Sequence, residues 1–192
     1  MSPSFAEKTS MEIRRYHLGE ESAVWEVYSA ATHVSIARDY HPDLIDRWAP
    51  RDHNVRQWAE RLARKNPFVA VIDEEIVGMA EIEPGGFIDY FYVHPKWQNR
   101  GIGKALLATL ESEAARSGLN VISADVSITA KAFFSARGFR VTEAKSNVIL
   151  GHPAPNFRMQ KTLSGAPDGA ANRRQPSRSE TNPTSSAAAS DG

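Results

Sequence analysis

Gly101 and Gly103 stand one residue apart in YVHPKWQNRGIGKALLATLESEA, residues 92–114, between a strand ending in His94-Pro95 and a helix. On that helix Ile102, Leu106, Leu110 and Ala114 recur every fourth residue, and Gly118 follows as its C-terminal cap. The first turn holds no Asp or Glu. Instead Gln98, Asn99, Arg100, Gly101, Ile102 and Gly103 supply backbone N–H groups at the positive end of the helix dipole, and Arg100 and Lys104 add charge. Such a turn binds an anion, and glycine at 101 and 103 lets the anion approach with no Cβ in the way. Two familiar phosphate loops do not fit. A Walker loop requires Ser or Thr after the lysine, where Ala105 stands, and a dinucleotide fingerprint requires a third glycine where Leu106 stands. Taken alone, Gly-x-Gly at a strand–helix junction also describes an ordinary tight turn.

A proton acceptor is offered nearby by Asp89 in FIDYFYV, residues 87–93. Strand alternation groups it with Phe87, Phe91 and Val93, unless a bulge changes the phase. A carboxylate on an apolar face is pushed above its ordinary pKa, which suits a general base near neutrality. The plainer alternative is a structural aspartate bonded to backbone or arginine. Glu81 and Glu83, on the preceding strand, are weaker candidates, and His94 marks a strand end. The 6 histidines show neither His-x-His nor His-Glu-x-x-His spacing, so no metal is expected. The chain contains 0 cysteines, which removes cysteine nucleophiles and disulfides and suits a reducing cytoplasm. No Gly-x-Ser-x-Gly elbow points to a serine hydrolase.

These groups must be positioned by one folded unit. Residues 164–192 contain no Leu, Ile, Val, Met or aromatic residue and read as a disordered tail; residues 1–10 read as a flexible N-terminus, leaving 11–163 as the domain. The first ten residues carry no signal-peptide run, and no stretch reaches transmembrane length. Lys plus Arg number 23 and Asp plus Glu 23, so the chain lacks the basic footprint of a nucleic-acid binder. MEIRRYH reads as a first strand, and Val24, Val27, Tyr28 and Ala31 mark a helix. HPDLIDRWAP reads as a short helix, and Asp52 can cap another bearing Val55, Trp58 and Leu62. Arg56, Arg61, Arg64 and Lys65 form that helix's solvated face. PFVAVID and EIVGMAEIE form a hairpin around Asp73-Glu74. The strand 87–93, the long helix, the strand NVISADV, a helix about 129–137, and the strands GFRVTEA and NFRMQKTL complete a single α/β domain with a mixed sheet.

The stretch YFYVHPKWQNRGIGKALL resembles the acetyl-CoA motif of the GCN5-related N-acetyltransferase (GNAT) family, and ADVSITAKAFFSARGF resembles that family's next strand and helix. More loosely, SIARDY, WAP and NFRMQK resemble its YafP-like bacterial subgroup. The resemblance implies a mostly antiparallel central sheet flanked by helices. It also implies transfer of an acetyl group from acetyl-CoA to an amine, directly in a ternary complex. The pyrophosphate would lie on the N–H groups of Gln98 to Lys104, and the pantetheine arm would run along Phe91, Tyr92 and Val93. The Val93 N–H would polarise the thioester carbonyl. Ser127 stands where many members carry a pantetheine-binding Asn. Phe134 stands where many carry a Tyr that protonates the departing thiolate; a phenyl ring cannot, so either another group such as water or Tyr92 does, or the thiolate leaves unaided. Asp125 matches an acidic position used by some members and competes with Asp89 as the base. His33, Arg38, Asp39, Tyr40, Trp48 and a 151–157 turn would shape the acceptor pocket, although Tyr40 and Trp48 also suit a core.

The function expected is a cytoplasmic small-molecule N-acetyltransferase, monomeric or homodimeric, with no membrane partner. The alternatives are acetylation of a protein or aminoacyl-tRNA, which the neutral charge disfavours for the tRNA, and a CoA-binding sensor without turnover.

Overall fold

In the computed structural model, residues 10–163 are described; the expected flexible N-terminus, save residue 10, and the expected tail lie outside them. Strand β1 (Met11–Arg15) leads into α1 (Glu21–Ala30), which runs on through a π-helical turn, Ala31–Ser35, and a 3-10 turn, Ile36–Arg38. Next come α2 (Pro42–Trp48), α3 (Val55–Lys65), β2 (Phe68–Ile72), β3 (Glu75–Ile82) and β4 (Phe87–Val93). The chain closes with α4 (Ile102–Arg116), β5 (Val121–Ser127), α5 (Ile128–Ser135), β6 (Arg140–Ile149) and β7 (His152–Thr162). This is the element order the sequence pattern predicts.

The seven strands form one sheet in the order β1-β2-β3-β4-β5-β7-β6. Every pair is antiparallel except β4–β5. β2 is buried along its whole length because helices cover both faces. On one face α4 packs Ile102, Leu106, Leu107, Leu110 and Ala114 against Ala70, Val77, Ala80 and Ile122. On the other, Val24, Val27 and Tyr28 of α1 join Trp58 and Leu62 of α3 over Val69, Met79 and Tyr90. Leu44 and Ile45 of α2 pack separately with Tyr40 and Ala154.

Local chemistry sets the ends of these elements, sometimes differently from the sequence expectation. Asn54, not Asp52, caps α3, accepting from the Gln57 N–H at 3.0 Å. Its side chain stands one residue before Val55, where an N-cap acceptor reaches the third amide of the helix. Val55 is exposed, while Trp58 and Leu62 are buried. The 151–157 segment is not a turn. Leu150 and Gly151 both adopt positive φ, 51° and 78°, a pairing that closes a hairpin in two residues, so β7 begins at His152. Its Pro153 and Pro155 lie beyond the last pair with β5, Ser127↔Asn156, where no ladder donor is lost.

Leu110 is fully buried beneath α4. Leu110→Ala is expected to destabilise the domain by about 2–5 kcal/mol, read as a lower denaturation midpoint with an unchanged slope.

Candidate active site

The site begins with an irregularity in β4. Ala80 pairs with Phe91 and Ile82 with Ile88, so two steps along β3 are matched by three along β4. The extra residue reverses the alternation. Ile88, Phe91 and Val93 all join the core under α4, while Tyr90 and Tyr92 join the opposite one. Asp89 therefore does not share the face of Phe91 and Val93, as unbroken alternation expects. Its carboxylate meets α3 instead, where Arg61 Nη2 donates to Oδ2 at 2.9 Å.

β4 and β5 then part. Their parallel pairing comprises Phe87↔Ser123 and Ile88↔Ala124, and beyond it the strands splay around a cavity of about 420 Å³. Phe91, Tyr92 and Val93 line one side of it, and Ala124, Asp125, Val126 and Ser127 the other. The His94 N–H bonds Val77 O at 2.9 Å, so alternation turns the Val93 N–H away from β3 and towards the cleft. The Val93 carbonyl faces the same way and accepts from Gln98 Nε2 at 3.3 Å.

The 98–104 turn closes one part of the cavity. Gly101 holds φ +84°, and a Cβ there would meet nothing within 4 Å. Its glycine is thus required by the left-handed backbone. The first α4 bond runs from Ala105 N to Gly101 O at 3.0 Å, leaving the amides of Ile102, Gly103 and Lys104 ahead of the helical ladder. Gly103 serves another purpose than the open approach expected: a Cβ would stand 2.9 Å from the Phe133 ring of α5. Gln98, Asn99, Gly101, Ile102, Gly103 and Lys104 all line the cavity. Arg100 is not among its walls, and its guanidinium lies 4.7 Å from the Trp97 ring centroid.

Arg137, which the sequence analysis did not single out, does line the cavity. Its guanidinium stacks 3.6 Å from the Phe133 centroid and Nη1 donates to Phe133 O at 3.0 Å, while the buried Nε has no partner among the described residues. Its only signal in the sequence is its place before Gly138-Phe139 in the second motif. Ser127 caps α5, accepting from Ala130 N at 3.3 Å, which leaves its hydroxyl proton to donate. Phe134 is buried against Phe91, Phe133 and Phe139.

The two candidate bases differ sharply. Burial pushes Asp89 up to about 6, helped by the neighbouring Glu81 carboxylate and opposed by Arg61. Glu81 is itself buried and takes both Arg61 Nη atoms at 2.8 Å. Arg61 is therefore no part of a solvated face; it reaches under the sheet, 3.9 Å from the Tyr90 ring centroid. Burial also acts to raise Asp125, but its bonds to Arg158 and Lys145 outweigh that and hold it below its ordinary value. Of the residues expected to shape an acceptor pocket, Arg38 lines the cavity with Ala31, Ser35 and Ile36, while His33, Tyr40 and Trp48 do not. His33 Nε2 lies 2.8 Å from Ala49 O. Tyr40 donates to Pro155 O at 2.7 Å and accepts from Ile128 N at 3.0 Å. Trp48 packs edge-on to Tyr40, and Asp39 accepts from Thr129.

The acetyltransferase (GNAT) domain family matches residues 36–162. The chain belongs to this family. It is 32% identical over 155 residues to the uncharacterised N-acetyltransferase YafP of Escherichia coli (strain K12), covering 79% of this chain and 95% of that one. An aminoglycoside N(6′)-acetyltransferase type 1 of Stenotrophomonas maltophilia is 30% identical over 114 residues, covering 50% and 74%. A GCN5-related N-acetyltransferase from Rhodopseudomonas palustris superposes with a TM-score of 0.74 at 27% identity, covering 81% and 98%. The fold is shared by yncA of Salmonella typhimurium, solved with its cofactor acetyl-CoA, at a TM-score of 0.63, 23% identity and coverage of 83% and 99%. The protein is thus an acetyl-CoA-dependent N-acetyltransferase of the GNAT fold. No helix among the described residues is long and apolar enough to cross a membrane.

The raised affinity of Asp89 for its proton has a consequence for stability. Between its ordinary value of 3.8 and about 6, the folded chain holds a proton that the unfolded chain releases. This contribution is fully present below the lower value and is lost as pH rises through the upper one. The stability of wild type minus that of Asp89→Asn is expected to fall across this window and level off above it, measured by denaturation at a series of pH values.

Proposed function

We propose that the protein acetylates an amine of a small molecule directly, with acetyl-CoA and acceptor bound together and Asp89 taking the amine proton. The observation that carries this reading is the splayed cleft, which joins the 98–104 turn to Asp89 along the free edge of β4. The amides of Ile102, Gly103 and Lys104 and the cations of Lys104 and Arg137 would receive the phosphates. The open edge of β4 offers backbone groups to the amides of the pantetheine arm, and the Val93 N–H would hold the thioester carbonyl oxygen. The amine nitrogen attacks the carbonyl carbon, its proton passes to Asp89 directly or through water, and the carbon–sulfur bond breaks. A base near 6 accepts that proton at neutral pH without being saturated. Asp125, already held by two cations, is the weaker acceptor and more fittingly a strut between β5, β6 and β7.

The small-molecule acceptor is supported by the relative named for aminoglycoside acetylation. Direct transfer is the simplest route in a chain with 0 cysteines.

Acetyl-CoA titrated calorimetrically into the chain is expected to bind, and Lys104→Glu to weaken binding by roughly tenfold or more, by the loss of one cation and the gain of one anion. Release of CoA thiol is then followed across aminoglycosides, polyamines, amino-acid amines and peptide N-termini. Asp89→Asn is expected to lower kcat/KM by about 10²–10⁴-fold and to remove the acidic limb of the wild-type pH profile. Wild-type binding without thiol release from any acceptor would favour the sensor alternative, and release only with peptides would favour a protein acceptor.

A further inference from the structure

Away from the cleft, His41, Asp43 and His152 meet where the start of α2 touches the first residue of β7. One donor atom from each lies within 4.8 Å of the other two. The Asp43 Oδ2 atom is shared: His152 Nε2 stands 3.0 Å from it and His41 Nδ1 3.6 Å. These separations bracket the roughly 3.3 Å between neighbouring donors on a tetrahedral ion with bonds of about 2.0–2.1 Å. The two imidazoles lie face to face with centroids 3.5 Å apart. We propose that this corner binds a divalent transition-metal ion of the zinc type, held by His41, Asp43 and His152 with water completing its shell.

The donor set favours that class. Two imidazoles and one carboxylate suit zinc, nickel or copper, whereas magnesium and calcium favour sites made of oxygen alone. The side chains of His41, Asp43 and His152 are 46%, 58% and 29% exposed, so a hydrated ion can reach them. Surface placement also lets the rings turn out of their stack, which they must do for both lone pairs to converge. His41 Nδ1 accepts the Asp43 N–H at 3.3 Å, a long bond that the ion would have to replace to take the same lone pair. His152 Nε2 and Asp43 Oδ2 already meet at 3.0 Å, and the ion would come between them. The site escapes spacing rules because 109 residues separate Asp43 from His152. The ion would pin α2 to β7 beside the corner where Tyr40 already bonds Pro155 and Ile128.

Calorimetric titration of Zn²⁺ into the untagged full chain tests this, with Co²⁺ absorption reporting the coordination. One ion per chain is expected, weakened roughly tenfold or more in His152→Ala and in Asp43→Asn and unchanged in His17→Ala. The Tm is expected to rise with Zn²⁺ in the wild type and not in His152→Ala, which retains acetyl-CoA binding as evidence of its fold. Absence of a one-to-one site in the wild type at millimolar Zn²⁺, or equal binding by the wild type and both corner variants, would overturn the assignment.

Discussion

Between Ile88 and Phe91, β4 carries one residue more than the strand beside it, and the strand cannot stay in phase and in register on both of its edges. On the β3 side the ladder resumes at Phe91. On the β5 side it does not resume, and the parallel pairing ends at Ile88↔Ala124. The open cleft, the Val93 N–H turned into it and the rotation of Asp89 towards Arg61 accompany this one insertion. An unbulged β4 would seal its edge against β5 and place Asp89 in the apolar core under α4, where an ionised carboxylate has no partner. A local irregularity thus creates both the binding edge and the environment of the acid beside it.

That environment separates two carboxylates which composition treats as equal. Asp89 and Asp125 both line the cavity, and burial acts on both. The outcome depends on the count of neighbouring charges. Asp125 is bonded to both Arg158 and Lys145. Asp89 shares the single guanidinium of Arg61 with Glu81, which takes the two-pronged contact and leaves Asp89 one bond. Burial raises Asp89 first and the Glu81 charge adds to it, more than the Arg61 and Lys65 cations together take away. Arg61 acts here as a positioning residue, and its reach from α3 depends on the aromatic shelf of Tyr90 beneath it.

The order of elements, the hairpin at Asp73-Glu74 and the long helix after Gly101 were legible because each is dictated within a few residues. Periodicity, positive-φ turns and caps are local properties. The errors share the opposite cause. Arg61 reads as solvated when α3 is viewed alone, and only the packing of α3 across β3 and β4 buries it. Gly103 looks like room for a ligand until Phe133, thirty positions on, is found occupying that room. Tyr40 suits either pocket or core in the sequence, and the fold decides for the core: its hydroxyl bridges Pro155 and Ile128, a tie made by segments that meet only there. Arg137 carried little signal because its partner, Phe133, lies within its own helix region, while the cavity it lines is closed by α4 and β4.

Phe134 leaves one chemical question that the surroundings help to answer. Tyr92 is the phenol on the cavity wall, and burial, with Tyr90 and Asp89 nearby, pushes its pKa far above the ordinary tyrosine range. A thiol ordinarily ionises at about 8.5. Full proton transfer from such a phenol to a departing thiolate is therefore uphill, and Tyr92 can offer at most a hydrogen bond. In the proposed reaction the thiolate then leaves as an anion and gains its proton from water. Lys104, Arg137 and the α4 amides, given to the phosphates at the far end of the pantetheine arm, take no part in that step. Phenylalanine at 134 is compatible with that arrangement: the position is filled by packing against Phe91, Phe133 and Phe139, and no proton is asked of it.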